Sequence, residues 1–211
     1  VKQFGTTMNQ LLKDMLKQKA IIVKQEVELS NVMVGIDAGN KYCLYAPGGV
    51  KLGQSAEVSG GVGGFLMRNI LNNARSATVK LFGNNGTELG EFKKPLRWIY
   101  AEMAATISGD EIGRAKRTTM IGRNYSISVM GAPKFTISSS LFQWRDFKFD
   151  VMKQGVLVAR IMKRYEGAMK MMFTQADTFT IEFVDDSLTL EERYTLLATT
   201  FLIDYDCFEQ R

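Results

Sequence analysis

The sequence predicts a mainly β protein in which a sheet of many short strands encloses a C-terminal helix. Short apolar or alternating stretches follow one another at regular intervals and are separated by Gly-, Pro- and Asn-containing turns. The stretch 194–203 is apolar on nearly every side, and a helix of that kind belongs in a protein interior. A barrel wrapped around this helix is the simplest arrangement that buries it.

The composition is that of an ordinary globular chain with one core. The 211 residues are 45% hydrophobic and 23% charged, and no repeat or break in composition divides them. We therefore expect one domain over residues 1–211. The net charge of +5 favours acidic partners such as lipid headgroups, although proteins without such partners also carry it.

The chain contains no histidine, and this restricts its chemistry. Nucleophiles activated by histidine and histidine-ligated zinc are excluded, so we do not expect an enzyme. Cys43 and Cys207 fit no metal or redox spacing, which indicates a reducing compartment. We see no secretory signal, and the apolar stretch near the C-terminus is too short to span a bilayer.

The elements follow from local patterns. Residues 8–18 have apolar side chains at helical spacing, and residues 20–29 then become β-branched, so a short helix and a strand are expected. Alternation on both sides of residues 83–86 predicts a hairpin. Further strands are predicted at 97–107, 112–120, 125–129, 134–138, 147–152 and 156–163.

The last strand and the helix that follows it have the clearest signals. Alternation directs Phe179, Ile181 and Phe183 inward, while Thr180 and Glu182 face out. Thr189 and Glu192 have the spacing of a capping box. The expected buried positions of the helix include Tyr194, Leu197, Ala198, Phe201 and Leu202.

Several segments resemble the phospholipid scramblase family, which is related to the tubby C-terminal domain. They read NKYCLYAPGGVKL (40–52), ATVKLFGNNGTELGEFKKPLRW (77–98), FTQADTFTIEF (173–183) and FLIDYDCFE (201–209). The resemblance covers nearly the whole chain. It implies a closed antiparallel β-barrel of about 12 strands around a buried hydrophobic C-terminal helix. It also implies binding to anionic phospholipids and their bidirectional movement between leaflets, linked to calcium.

Two departures from the family pattern favour an alternative function. In the family, palmitate is carried on a cysteine-rich run that follows a Pro-Leu-Arg element, which is Pro95 to Arg97 here. Residues 98–103 contain no cysteine, so no palmitoylation is expected in this chain. The calcium segment is the second departure. The alternative is therefore a non-catalytic structural or adaptor subunit of a larger assembly.

The calcium segment supplies the candidate metal ligands Gln175, Asp177, Asp185 and Asp186. In an EF-hand alignment, Gln175 takes the place of the first acid and Thr180 that of the turn glycine. Two interpretations stay open. The acids form an open oxygen site for Ca²⁺, or they form a solvated cluster beside the helix cap.

Basic residues are the other candidate site, because Lys and Arg pair with phosphate. The headgroup candidates are Lys93, Lys94, Arg97, Arg160, Lys163 and Arg164, and Arg114, Lys116 and Arg117 form a further cluster. They form one surface if they converge, and otherwise they are scattered solvated charges. No RNP-like motif is present, so nucleic acid is not an expected partner.

The expected partners are an anionic phospholipid membrane surface and protein components of a complex. We expect an intracellular protein that is peripheral on a plasma or mitochondrial membrane, or that lies within a large cytoplasmic or organellar assembly.

Overall fold

The computed structural model describes residues 8–26, 38–58, 76–97, 99–139, 148–163 and 178–208. Within these residues the chain forms two helices and twelve strands. The helices are α1 (Gln10–Leu16) and α2 (Leu190–Cys207). The strands are β1 (Ala20–Gln25), β2 (Ala38–Tyr45), β3 (Lys51–Val58), β4 (Ala77–Gly83), β5 (Glu88–Lys94), β6 (Glu102–Ile107), β7 (Asp110–Arg117), β8 (Tyr125–Val129), β9 (Ala132–Ile137), β10 (Lys148–Lys153), β11 (Val156–Met162) and β12 (Thr178–Phe183).

The twelve strands form a closed antiparallel barrel, as the sequence predicts. Each strand pairs with its neighbours in the chain, and β1 pairs with β12 to close the sheet. At the closure Ile21 lies opposite Ile181 and Val23 lies opposite Phe179. Closure leaves no unpaired strand edge in the barrel.

Helix α2 lies inside the barrel. Its residues 192–206 are all buried, including the predicted positions Tyr194, Leu197, Ala198, Phe201 and Leu202. The Phe201 ring centroid lies 5.2 Å from that of Tyr42 on β2 and 5.3 Å from that of Phe92 on β5. The prediction of a buried central helix is confirmed. Neither of the two described helices has the length and apolar character that crossing a bilayer requires.

The start of α2 is fixed by local hydrogen bonds and by one buried arginine. The Glu192 amide donates to Thr189 Oγ1 (3.2 Å) and the Thr189 amide donates to Glu192 Oε2 (2.9 Å), which is the predicted capping box. Arg193 donates to the carbonyl oxygens of Leu16 (3.1 Å) and Gln18 (3.2 Å). Arg193 therefore joins the end of α1 to the start of α2.

Two glycines in the wall allow α2 to approach the sheet closely. A Cβ atom at Gly90 would lie 2.1 Å from the Tyr194 hydroxyl oxygen. A Cβ atom at Gly113 would lie 2.2 Å from Thr195 Oγ1. Real Cβ contacts are not this short, so both positions require glycine while the helix keeps its place.

Two strands differ from the prediction where polar contacts bend the chain. Strand β6 begins at Glu102 rather than at residue 97, because Arg97 turns to pair with the Glu102 carboxylate and the preceding Pro95 has no N–H to donate. Strand β7 ends at Arg117 because its guanidinium bonds to carbonyl oxygens of the residues that follow. In the remaining predicted elements the ends shift by a few residues, as at β1, which ends at Gln25.

The barrel has two unlike ends. At one, which we call the turn end, short turns join β2 to β3, β4 to β5, β6 to β7, β8 to β9 and β10 to β11. At the other, which we call the loop end, the longer connections between these hairpins begin and end. Helix α2 starts at the turn end and finishes at the loop end.

Candidate functional site

The predicted basic residues of β5 do not all face the same way. Lys93 is exposed, and so is Arg97 beyond the end of the strand. Lys94 is buried and shares the inner face of the barrel with Phe92, because alternate residues of a strand face the same side. Lys94 therefore adds no charge to the outer surface, and of these three residues Lys93 and Arg97 are the exposed ones.

One carboxylate connects two of the predicted basic clusters. Glu102 Oε1 accepts from Arg97 Nη2 (2.9 Å) and from Arg114 Nη1 (3.0 Å). Arg114 also bonds to Glu111, and this hydrogen bond raises the pKa of the Arg114 guanidinium. The Glu102 side chain is almost fully buried, whereas 54% of the Arg97 side chain is exposed. Arg97 therefore keeps donors that can reach a phosphate.

The third predicted cluster lies elsewhere. Arg160 is on β11, six strands away from β5 in the closed order of twelve, which is the opposite side of the barrel. It pairs with Asp150 at 2.7 Å. Lys163 lies 4.0 Å from the centroid of the Phe208 ring at the loop end. The five headgroup candidates that the structure describes therefore do not form one continuous surface. Arg164 lies outside the described residues.

Arg117 is used for structure rather than for surface charge. Its guanidinium bonds to the Asp206 carboxylate (3.2 Å) and to the carbonyl oxygens of Thr119 (2.9 Å), Met120 (3.0 Å) and Gly122 (2.9 Å). It therefore holds the β7–β8 connection and attaches it to the last turn of α2.

Asp185 and Asp186, the acids that precede α2, contact residues of their own turn or of the first turn of α2. The Asp185 carboxylate accepts from the Ser187 amide (2.8 Å), and hydrogen bonds from the Ser187 hydroxyl and amide lower the Asp185 pKa. Asp186 is exposed and lies 4.0 Å from Arg193. No group of three acidic, histidine or cysteine side chains suited to a metal occurs in the described ranges. Gln175 and Asp177 lie outside those ranges, so the four-residue calcium site stays a prediction.

A second polar group lies where α2 ends, and it was not predicted from the sequence. We call it the tyrosine–carboxylate cluster. Its hydrogen bonds run from Tyr42 to Asp204 (3.0 Å), from Tyr125 to Asp206 (2.6 Å) and from Tyr205 to Glu57 (3.0 Å). All six side chains are buried or nearly so. In the sequence, the only sign of this cluster is that Asp204 and Asp206 follow an apolar helical run.

The cluster attaches the end of the central helix to the barrel wall. Acids at a helix C-terminus face the negative end of the helix dipole, and no basic residue occupies the last turn of α2. The tyrosine hydroxyls and Arg117 compensate by donating to these carboxylates. Burial raises the pKa of Tyr125, which keeps its hydroxyl protonated as a donor.

Cys207 beside this cluster should be a slow nucleophile. Burial raises the pKa of its thiol to about 11, partly offset by the hydrogen bond with Tyr125. Near pH 8 we expect iodoacetamide to alkylate Cys207 about a hundredfold more slowly in the folded protein than in urea, because the thiolate is the reactive form. Mass spectrometry of timed samples measures both rates. Equal rates would show that the thiol is exposed and that the end of α2 is not packed.

Comparisons with known proteins show similarity to phospholipid scramblases. The family model described as Scramblase matches residues 2–210. Human (Homo sapiens) phospholipid scramblase 2 is 26% identical over 206 residues, which cover 90% of this chain and 67% of that protein. Human phospholipid scramblase 1 is 26% identical over 205 residues, covering 90% and 63%. Altered inheritance rate of mitochondria protein 25 of Saccharomyces cerevisiae is 22% identical over 235 residues, covering 92% and 72%.

This chain thus spans about two thirds of the length of the two human relatives. No solved structure matches it significantly. The family match covers the entire barrel and the helix inside it. The chain belongs to the Scramblase family.

Proposed function

We propose that this scramblase-like protein binds anionic phospholipids with the outer surface of its loop end and promotes their bidirectional movement between leaflets. The observation that carries this proposal is the family match over residues 2–210, which includes every strand and both helices. The two human relatives are named as phospholipid scramblases. The two activities of the proposal, binding and movement, have separate tests.

The charges of the loop end support the binding part of the proposal. Lys93, Arg97 and Lys116 are exposed around the β5–β6 and β7–β8 connections, and Arg123 is half-buried beside them. Near an anionic membrane each such residue contributes about 1 kcal/mol, and arginine can hold a phosphate with two hydrogen bonds. Glu91 and Glu102 offset part of this charge through their pairs with Lys93 and Arg97.

We expect the protein to co-sediment with vesicles that contain phosphatidylserine and not with pure phosphatidylcholine vesicles. Binding should weaken in high salt, because salt screens exposed charges. The triple variant Lys93→Ala, Arg97→Ala, Lys116→Ala should bind about tenfold to a hundredfold more weakly.

The matched control removes the same number of charges from the turn end, by Lys17→Ala, Lys19→Ala and Lys134→Ala. All three lysines are exposed. The control should bind as the wild type does. If both triple variants lose the same affinity for anionic vesicles, net charge alone drives binding. If the wild type binds neutral vesicles as well as anionic ones, the electrostatic proposal is wrong.

Movement between leaflets and its link to calcium are tested in proteoliposomes. A fluorescent phosphatidylserine in the inner leaflet is protected from a membrane-impermeant quencher until it crosses. The proposal requires faster loss of protection with the protein than without it. Repeating the assay with calcium and with chelator tests the calcium link, and Asp185→Asn with Asp186→Asn tests whether these two acids contribute.

The second candidate function is the structural or adaptor subunit. The observation that favours it is the absence of cysteine from residues 98–103, where the family carries its lipid anchor. Absence of vesicle binding under every condition would favour this function over lipid handling.

A further inference from the structure

We propose that two adjoining connections at the loop end form an apolar tip that inserts into the interfacial layer of an anionic membrane. The connections are β5–β6, which carries Leu96 and Ile99, and β7–β8, which carries Met120 and Ile121. Insertion would place the barrel with its loop end on the bilayer and α2 pointing toward it. This inference rests on the proposed function and adds the contact surface and the orientation.

All four apolar side chains belong to the exposed large apolar residues of the described chain. Leu96 is 43% exposed, Ile99 60%, Met120 69% and Ile121 79%. Single exposed apolar residues are common, but several on neighbouring loops mark a contact surface. Ile99 and Ile121 are also β-branched aliphatic residues, whose transfer out of water is favourable.

The two connections leave the barrel side by side. Glu102 at the start of β6 lies opposite Lys116 near the end of β7, and the Arg117 amide donates to the Ala101 carbonyl at 2.8 Å. The residues before β6 and those after β7 therefore emerge at the same point of the rim. The tip is thus a local feature made by two loops.

The β7–β8 connection is held in a defined shape while its apolar residues stay in water. Arg117 bonds to three of its carbonyl oxygens, and the Thr118 amide donates to the Asn124 carbonyl at 2.8 Å. Held in this way, Met120 and Ile121 do not fold back onto the barrel. A preformed loop loses little conformational freedom on binding, which favours a contact surface.

Charge complementarity selects an anionic membrane as the occupant. Neither connection contains an acid; Arg97 and Arg123 lie within them, and Lys93 and Lys116 lie on the strands beside them. Apolar side chains surrounded by basic groups combine insertion with attraction to anionic lipid. The turn end also exposes apolar residues, among them Val50, Val156 and Val184. Asp185 and Asp186 follow Val184 at that end, and an anionic surface repels them.

The first arm of the test compares two double variants on phosphatidylserine-containing vesicles. Ile99→Ser with Ile121→Ser removes the tip, and Val50→Ser with Val156→Ser removes equally exposed apolar residues from the turn end. The tip variant should bind on the order of tenfold more weakly than the wild type, and the control should bind equally well. Because neither variant changes a charge, salt dependence should be the same in all three proteins.

The second arm measures the insertion of the tip into the membrane directly. An environment-sensitive fluorophore is attached at Ile121→Cys or at Val156→Cys, each in a Cys207→Ser background. On vesicles, emission from position 121 should shift to the blue and be quenched by a lipid-embedded quencher, while emission from position 156 should not change.

The outcomes separate the inference from the proposed function. If the wild type does not bind vesicles, the proposed function fails and the inference fails with it. If the wild type binds and the tip variant binds equally, or position 121 stays in water, the inference is overturned while lipid binding stands. If the tip instead mediates contact between two copies in the absence of lipid, shown by tip-dependent dimers in sedimentation velocity, the inference is also overturned.

Discussion

Replacing Gly90 by alanine is expected to lower the free energy of unfolding by about 3 kcal/mol. The new Cβ would lie 2.1 Å from the Tyr194 hydroxyl oxygen and 2.9 Å from the Thr106 carbonyl oxygen. These are the two partners of a buried hydrogen bond of 2.8 Å that joins α2 to β6. The substitution therefore forces the helix away from the wall and breaks this bond, and overpacking and an unsatisfied carbonyl each cost about 1–3 kcal/mol. Urea unfolding followed by circular dichroism measures the loss.

Two further variants identify the cause of that loss. No atom lies within 4 Å of a Cβ built at Gly48, so Gly48→Ala should leave stability nearly unchanged. Adding Tyr194→Phe to Gly90→Ala removes the clashing oxygen and should recover part of the loss. A Gly90→Ala protein as stable as the wild type would mean that α2 does not contact this part of the barrel.

The barrel and its central helix could be predicted because their signals are local. Alternation in β12 sets which residues face the core, and Phe179, Ile181 and Phe183 are buried as expected. The run from Tyr194 to Ile203 is apolar on nearly every side and carries no charge, and its burial follows from that. Thr180 faces outward as predicted, yet it is fully buried, so facing outward does not always mean exposure to solvent.

The polar contacts of the loop end could not be predicted because they join residues far apart in the sequence. Tyr42 and Asp204 are 162 residues apart, and Arg117 and Asp206 are 89 apart. No spacing rule connects such pairs before the barrel register is known. The inward position of Lys94 could not be predicted for the same reason. It depends on the register of the strand, and a one-residue change of register would place Lys94 on the outer face.

The candidate surface was predicted only in part for a related reason. Sequence proximity groups Arg97 with Lys94, but the fold buries Lys94 and brings Arg114 to the same carboxylate as Arg97. Met120 and Ile121 are exposed in a connection whose carbonyl oxygens bond to Arg117, and this pair of apolar residues gives no sign of its exposure in the sequence.

The second large effect is expected from Arg117→Met, which should lower the free energy of unfolding by about 3 kcal/mol. The guanidinium is a partner of the buried Asp206 carboxylate and the donor to three carbonyl oxygens of the β7–β8 connection. Removing one partner of a buried ion pair leaves the other charge without its counter-ion, which costs about 3–5 kcal/mol when burial is complete. The Tyr125 hydroxyl still donates to Asp206 in the variant. Arg117 is partly exposed, so the lower end of that range applies.

A mutant cycle separates the ion pair from the loop contacts. Asp206→Asn should be destabilising in the wild type and much less so in Arg117→Met, because the carboxylate has then already lost its cationic partner. The matched control is Arg160→Met, which breaks an ion pair with Asp150 whose two side chains are 31% and 48% exposed, and it should cost less than about 1 kcal/mol. If the losses of unfolding free energy from Arg117→Met and Asp206→Asn are additive, the two side chains do not interact, which would contradict the ion pair.

The Arg117→Met variant also tests the link between the helix end and the membrane tip. It is labelled at position 121 and studied under conditions in which the protein stays folded. Loss of the fluorophore shift on vesicles would show that the arginine that anchors the end of α2 also holds the tip in place.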